Sequence, residues 1–118
     1  MKNMKTVLML IVLGFIVLTS FTKTNTTNCI ATWYDRHGAL TASGVRMHRD
    51  SATCAYNALP MGTKLLITNI QNNKQCVAVI TDRMGDKTPN KIDLSYKTFG
   101  NLANHKQGVI KVRISRLN

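Results

Sequence analysis

Glutamate is absent from this chain, and aspartate occurs only five times in 118 residues, at positions 35, 50, 82, 86 and 93. Any chemistry that needs a carboxyl group as acid, base or nucleophile must therefore come from a very short list of side chains. The three cysteines form no C-x-x-C pair, and His37, His48 and His105 are too scattered for a Cys/His zinc site, so neither a metal nor a cofactor is expected. The longest apolar run, Val7 to Leu18, falls short of the roughly 20 residues a spanning helix needs. No repeat of fixed period is present.

What surrounds that apolar run gives it a meaning. Lys2 and Lys5 precede it, and Thr19, Ser20, Phe21 and a Thr/Asn segment through Asn28 follow. Basic start, apolar middle and small polar exit are the layout of a secretory signal, with a retained membrane anchor as the alternative. Residues 1–28 are thus read as signal and short polar linker, and 29–118 as one domain, secreted or held in the cell envelope. Cys29 is not expected to be lipid-modified, because Thr26-Thr27-Asn28 lacks the aliphatic and small residues such processing uses. Membrane contact is expected only through the signal.

Sixteen Lys and Arg against five acids give a net charge of +11, from which the signal removes three lysines. The domain stays strongly basic, with its cations scattered rather than blocked. For an exported chain this favours anionic wall polymers, acidic glycans or lipid head groups over nucleic acid, or simply a cationic surface that aids solubility. Three cysteines in an oxidising compartment predict one disulfide and one free thiol, with Cys54–Cys76 preferred over pairs involving Cys29.

The domain reads as short strands separated by turns. Ile30–Tyr34 is β-branched and aromatic; Lys64–Ile70 and Cys76–Thr81 form a hairpin across a polar connection; a short strand lies near Thr53–Tyr56. Ser95 caps a helix whose Tyr96, Phe99, Leu102 and Ala103 share one face. In the final strand Ile110, Val112 and Ile114 alternate with Lys111 and Arg113, so one face is buried. About 90 residues with five or six short strands and a single helix fit a small closed barrel, since closure removes exposed edges.

Five short words occur in order: Thr41-Ala-Ser-Gly44, Leu59-Pro-Met-Gly-Thr63, Thr68-Asn69, Ile80-Thr-Asp-Arg83 and Ile92-Asp-Leu-Ser95. With Ala31-Thr-Trp-Tyr34 before them and Val112-Arg-Ile114 after, they resemble the rare lipoprotein A type of double-psi β-barrel found in septal lytic transglycosylases and related to expansins and some endoglucanases. The resemblance runs from Ala31 to Leu117. It implies a mainly β fold, a six-stranded double-psi β-barrel with one or two short helices, and a shallow groove for a polysaccharide strand.

The resemblance also implies a reaction. An acid protonates the glycosidic oxygen between N-acetylmuramic acid and N-acetylglucosamine, and the sugar's own 6-hydroxyl closes a 1,6-anhydro ring. Asp82 stands where the family keeps its acid and is expected at a strand end as acid and base. Asp93, also expected at a strand end, falls on a second acidic position, and Tyr56 replaces a histidine. Val45 stands where the family commonly has glutamate. These departures weigh toward a non-catalytic, expansin-like glycan-binding module as the alternative, and a protein-binding inhibitor or effector is a third reading. Trp33, Tyr34, Thr41, Ser43 and Arg83 are the expected substrate contacts. Alternation turns one of Trp33 and Tyr34 inward and frees the other for stacking on a sugar. Bland roles compete: a turn Asp accepting backbone N–H bonds, an Asp near the helix start, an Arg paired with a carboxylate. Asp35, if it faced Asp93 across the groove, would allow inverting hydrolysis. The three histidines are expected to be solvated loop residues. The protein is expected to act as a monomer on peptidoglycan.

Overall fold

The computed structural model describes residues 25–118. The signal segment lies outside the described residues except for its last four. Six strands close into a barrel in the order β1-β5-β2-β4-β3-β6: β1 Thr26–Tyr34, β2 Thr53–Ala55, β3 Lys64–Asn69, β4 Gln75–Asp82, β5 Lys91–Ser95 and β6 Ile110–Arg116. Two pairs, β1 with β5 and β2 with β4, are parallel and the other four are antiparallel. This is the small mixed barrel expected from the sequence, with every strand paired on both sides.

The hairpin and the last strand form because their inward residues are large and branched. Leu65, Ile67, Ala78, Ile80, Val112 and Ile114 fill the interior with Ile92 and Leu94. The helix, α1 (Tyr96–Leu102), starts at Ser95, whose hydroxyl accepts the Thr98 N–H and donates to the Ser51 carbonyl at 2.7 Å. It closes one side of the barrel with Phe99 and Leu102, both fully buried. A single 3-10 turn follows at His105–Gln107. Gly62 adopts a φ of +83°, which an L side chain resists, and donates its N–H to the Ile80 carbonyl. Buried Asn69 donates to the Leu102 carbonyl at 3.0 Å, which gives the Thr68-Asn69 word a structural purpose.

Four expectations need correction. First, β1 starts at Thr26, not Ile30, so Thr26–Asn28 are barrel residues; they pair with Ser115, Ile114 and Arg113 of β6. Their exposed polar side chains hid the strand from a reading based on apolar content. Second, Asp93 sits in the middle of β5, whereas Asp82 does end β4.

Third, all three cysteines are free. Cys54 stands beside Ile80 of β4, and Cys76 is four residues earlier on that strand, about 13 Å along it and beyond the roughly 7 Å that a disulfide tolerates between Cα atoms. Cys29 is likewise four residues from Trp33, the β1 residue in Cys54's row across β5. Burial pushes the Cys54 thiol up to about 12 and the Cys76 thiol up to about 11, so both are poor nucleophiles. Fourth, His105 is not solvated. Its ring stacks on Tyr96 at 3.8 Å and bonds the Tyr96 carbonyl through Nε2.

Candidate functional site

Strand alternation decides which residues reach the groove. Along β1, Ala31 is fully buried and Trp33 packs against α1, so Thr32 and Tyr34 face the other way. Trp33 donates from Nε1 to the His105 carbonyl at 3.0 Å and meets Tyr96 edge to face. Its indole is thus committed to the packing around α1, and it is Tyr34 that lines the groove. The cavity holds about 290 Å³ and brings Thr32, Tyr34 and Arg36 together with Asp82, Asp93 and Arg83.

Ala55 sets the spacing of the two carboxyl groups. It pairs with Asp93 of β5 on one side and, after a register shift at Cys54/Ala55, with Asp82 of β4 on the other. Two strand spacings put the backbones of the acids about 10 Å apart, with only a methyl group between them. Asp93 pairs with Thr32 across the parallel β1/β5 ladder and accepts a 2.9 Å bond from the Thr32 hydroxyl. Burial raises the Asp93 carboxyl above its ordinary range; Thr32, Lys91 and Arg36 oppose the rise, and Asp82 adds to it.

Asp82 is held differently. Its Oδ1 accepts the backbone N–H groups of Ala42 and Arg83, each at 2.9 Å. Thr41 and Ser43 shape the turn that delivers Ala42: their hydroxyls lie 2.9 Å apart, Thr41 also bonds the Val45 carbonyl, and the Ser43 N–H donates to the Thr81 carbonyl. Neither side chain is among the groove-lining residues. Thr41 is buried, and its contribution is the loop geometry that fixes Asp82. Arg83 does not pair with a carboxylate; its guanidinium donates to the carbonyls of Tyr56 and Leu59, anchoring the loop after β2.

Tyr56 is drawn in by its backbone and turned away by its side chain. Its N–H donates to the Asp82 carbonyl at 3.2 Å. Because neighbouring Ala55 looks into the groove, Tyr56 points to the interior, where it is 5% exposed and its hydroxyl meets the Cys29 thiol. Burial, with Cys29 next in effect, pushes that phenol up to about 12. Asp35, on the Trp33 side of the alternation, pairs with Arg49 at 3.3 Å and lies outside the groove, which removes the geometry for an Asp35–Asp93 pair. Val45 is 60% exposed on the outer loop.

The Tyr34 hydroxyl is buried and has no hydrogen-bond partner. Burial first, then Asp82 and Asp93, hold its proton far more tightly than in water, with Arg36 opposing. Its O–H is a donor on the groove side of β1. Thr32, Arg36, Ala55, Asp86 and Lys91 also line the groove and were not picked out from the sequence. Three of these were findable, since Thr32 and Arg36 lie two residues either side of Tyr34 and Lys91 lies two before Asp93. No group of three or more His, Cys or Asp side chains among the described residues is arranged to hold a metal.

Residues 26–114 match the model of the lytic transglycolase domain family. An endolytic peptidoglycan transglycosylase from Rickettsia felis is 37% identical over 101 residues, covering 81% of this chain and 44% of that protein. Its counterpart from Rickettsia prowazekii is 39% identical over 92 residues, 74% of this chain and 29% of that protein. The chain thus spans less than half the length of these relatives. An uncharacterised protein from Synechocystis is 33% identical over 89 residues and is covered to 94% of its length. Among solved structures, a Streptomyces papain inhibitor superposes with a TM-score of 0.68 at 19% identity, over 80% of this chain and 96% of that one. An apo expansin from Clavibacter michiganensis gives a TM-score of 0.67 at 20% identity, over 80% and 51%. At such identities these two likenesses concern the fold alone.

Proposed function

Because the chain belongs to the lytic transglycolase family, we propose that it is an exported enzyme that cleaves peptidoglycan glycan strands between N-acetylmuramic acid and N-acetylglucosamine, leaving 1,6-anhydro ends. The observation that carries this reading is the pair of unlike carboxyl groups in one groove. Asp93 is half-buried with its proton affinity raised, which is the direction a proton donor needs. Asp82 has Oδ1 fixed by two backbone donors, which suits an oriented acceptor. Asp93 gives its proton to the glycosidic oxygen as the bond from C1 breaks. The 6-hydroxyl oxygen bonds to C1, and its proton passes to Asp82. Water is not consumed, and solvent proton exchange resets both groups.

Tyr34 serves as a donor to the strand, Arg36 supplies positive charge to an anionic polymer, and Thr32 orients Asp93. This moves the acid role first expected of Asp82 to Asp93, keeps Asp82 as the base and gives Tyr56 a structural part. The segment before β1 acts as the export signal, and the barrel works in the cell envelope as a monomer without metal or cofactor.

A second reading has its own support. With Tyr56 turned inward and Val45 in place of an acid, the groove offers Asp82 and Asp93 with neither a histidine nor a glutamate beside them, which would serve a module that binds glycan without cutting it. Digestion of purified sacculi, with mass-spectrometric search for anhydro ends, separates the two. The catalytic reading predicts anhydro products from wild type, and from Tyr56→Phe a yield within about twofold of wild type, since lost general acid–base groups cost at least about a hundredfold. Retained sacculus binding with no anhydro product would select the binding module.

A further inference from the structure

Lys91 and Asp93 are two residues apart on β5, so both side chains leave the strand on the groove face with Cα atoms about 7 Å apart. A lysine stem can cover that distance. A contact between its ammonium and Asp93 would favour the ionised carboxylate and take away the acid.

The structure holds Lys91 elsewhere. Its Nζ lies 2.7 Å from Asp86 Oδ2. Asp86 is itself fixed, because Oδ1 accepts the Thr88 N–H at 2.9 Å and the Thr88 hydroxyl at 2.6 Å. The strap that carries it is clipped by Asn57, whose Nδ2 donates to the carbonyls of Met84 and Asp86, while its Oδ1 accepts the Met84 N–H. One carboxylate oxygen of Asp86 thus shapes the strap and the other anchors the cation.

We propose that Asp86 is a positioning residue that holds the Lys91 ammonium off the Asp93 carboxyl and so preserves Asp93 as a proton donor. The idea rests on reading Asp93 as the acid. Around Asp93 the charged or titratable groups are Lys91 on its own strand, Arg36 and Tyr34 from β1 and its exit, and Asp82 across Ala55. Of the two cations, Lys91 has the larger pull on Asp93 even from its anchored position. Asp86 is held well below the usual carboxylate range, chiefly by its bonds to Lys91 and Thr88. It remains charged wherever Asp93 titrates, so the anchor does not release as the acid works.

Carboxyl-carbon NMR of the whole protein across pH tests this without reference to turnover. In Asp86→Asn, Lys91 is released toward Asp93, and the protonated fraction of Asp93 at a given pH above its midpoint falls about tenfold. In Asp86→Asn combined with Lys91→Met, it returns to the wild-type value or above. Lys91→Met alone is an independent arm, expected to raise the protonated fraction by less than about threefold because the cation is already held away. Three results overturn the proposal: an unchanged Asp93 titration in Asp86→Asn, a loss that persists in the double variant, or a tenfold gain in Lys91→Met alone. Sacculus digestion is scored separately. If the NMR titrations follow the prediction while wild type yields no anhydro ends, the positioning role stands and the catalytic reading falls.

Discussion

The two faces of β1 give opposite lessons from adjacent residues. On one face Trp33 sits in a cluster with Tyr96, Phe99 and His105, its indole N–H bonded to a backbone carbonyl. Arg49 covers the outer side of Tyr96 at 4.2 Å, a cation over a ring. On the other face the Tyr34 hydroxyl has no partner and two aspartates share a groove. The two aromatic side chains of β1 therefore divide into one that completes the packing around α1 and one that lines the groove. The difference lies in the side of the strand each residue leaves, not in residue type.

The largest effect on the packed face should come from Phe99→Ala. The side chain is fully buried between α1 and the barrel, and its removal should cost about 3–5 kcal/mol in chemical denaturation. A loss below about 1 kcal/mol would show that the helix is not integral to the barrel. Tyr34→Phe should act in the opposite sense and more weakly. Deleting an unpartnered buried hydroxyl should leave stability unchanged or raise it by about 1 kcal/mol, while glycan binding weakens about tenfold. Lower stability with unchanged binding would move Tyr34 to the structural side of the comparison.

Much of this division was open to a reader of the sequence. The apolar alternation in β3, β4 and β6 and the Ser95 cap follow from local patterns, and the barrel follows from many short strands with few helical segments. What was hidden depended on contacts between distant residues. Thr26–Asn28 become a strand only because β6 lies beside them. Tyr56 looked like a replacement for a catalytic side chain, and its inward direction depends on Ala55 facing two other strands through a register shift. The cysteines were paired on compartment and number, whereas the separation along β4 forbids the Cys54–Cys76 bond. That Asp82 and Asp93 share one groove was legible, but their unequal environments were not, because one is set by the Ala42 turn and the other by burial beside Thr32.

Asp93 sharpens the comparison further, since it should be poor for stability and necessary for function. Its folded carboxyl binds a proton more tightly than the unfolded one, so the native state holds more protons across that interval. Stability should therefore fall as pH rises through the folded-state titration, and Asp93→Asn should flatten this part of the stability profile. The anhydro-end yield from sacculi digested by Asp93→Asn, set against wild type near neutral pH, tests the central claim most directly. The account predicts a loss of about a thousandfold in a protein at least as stable as wild type. A yield within about tenfold of wild type would contradict it and place the chemistry, if there is any, on Asp82 alone.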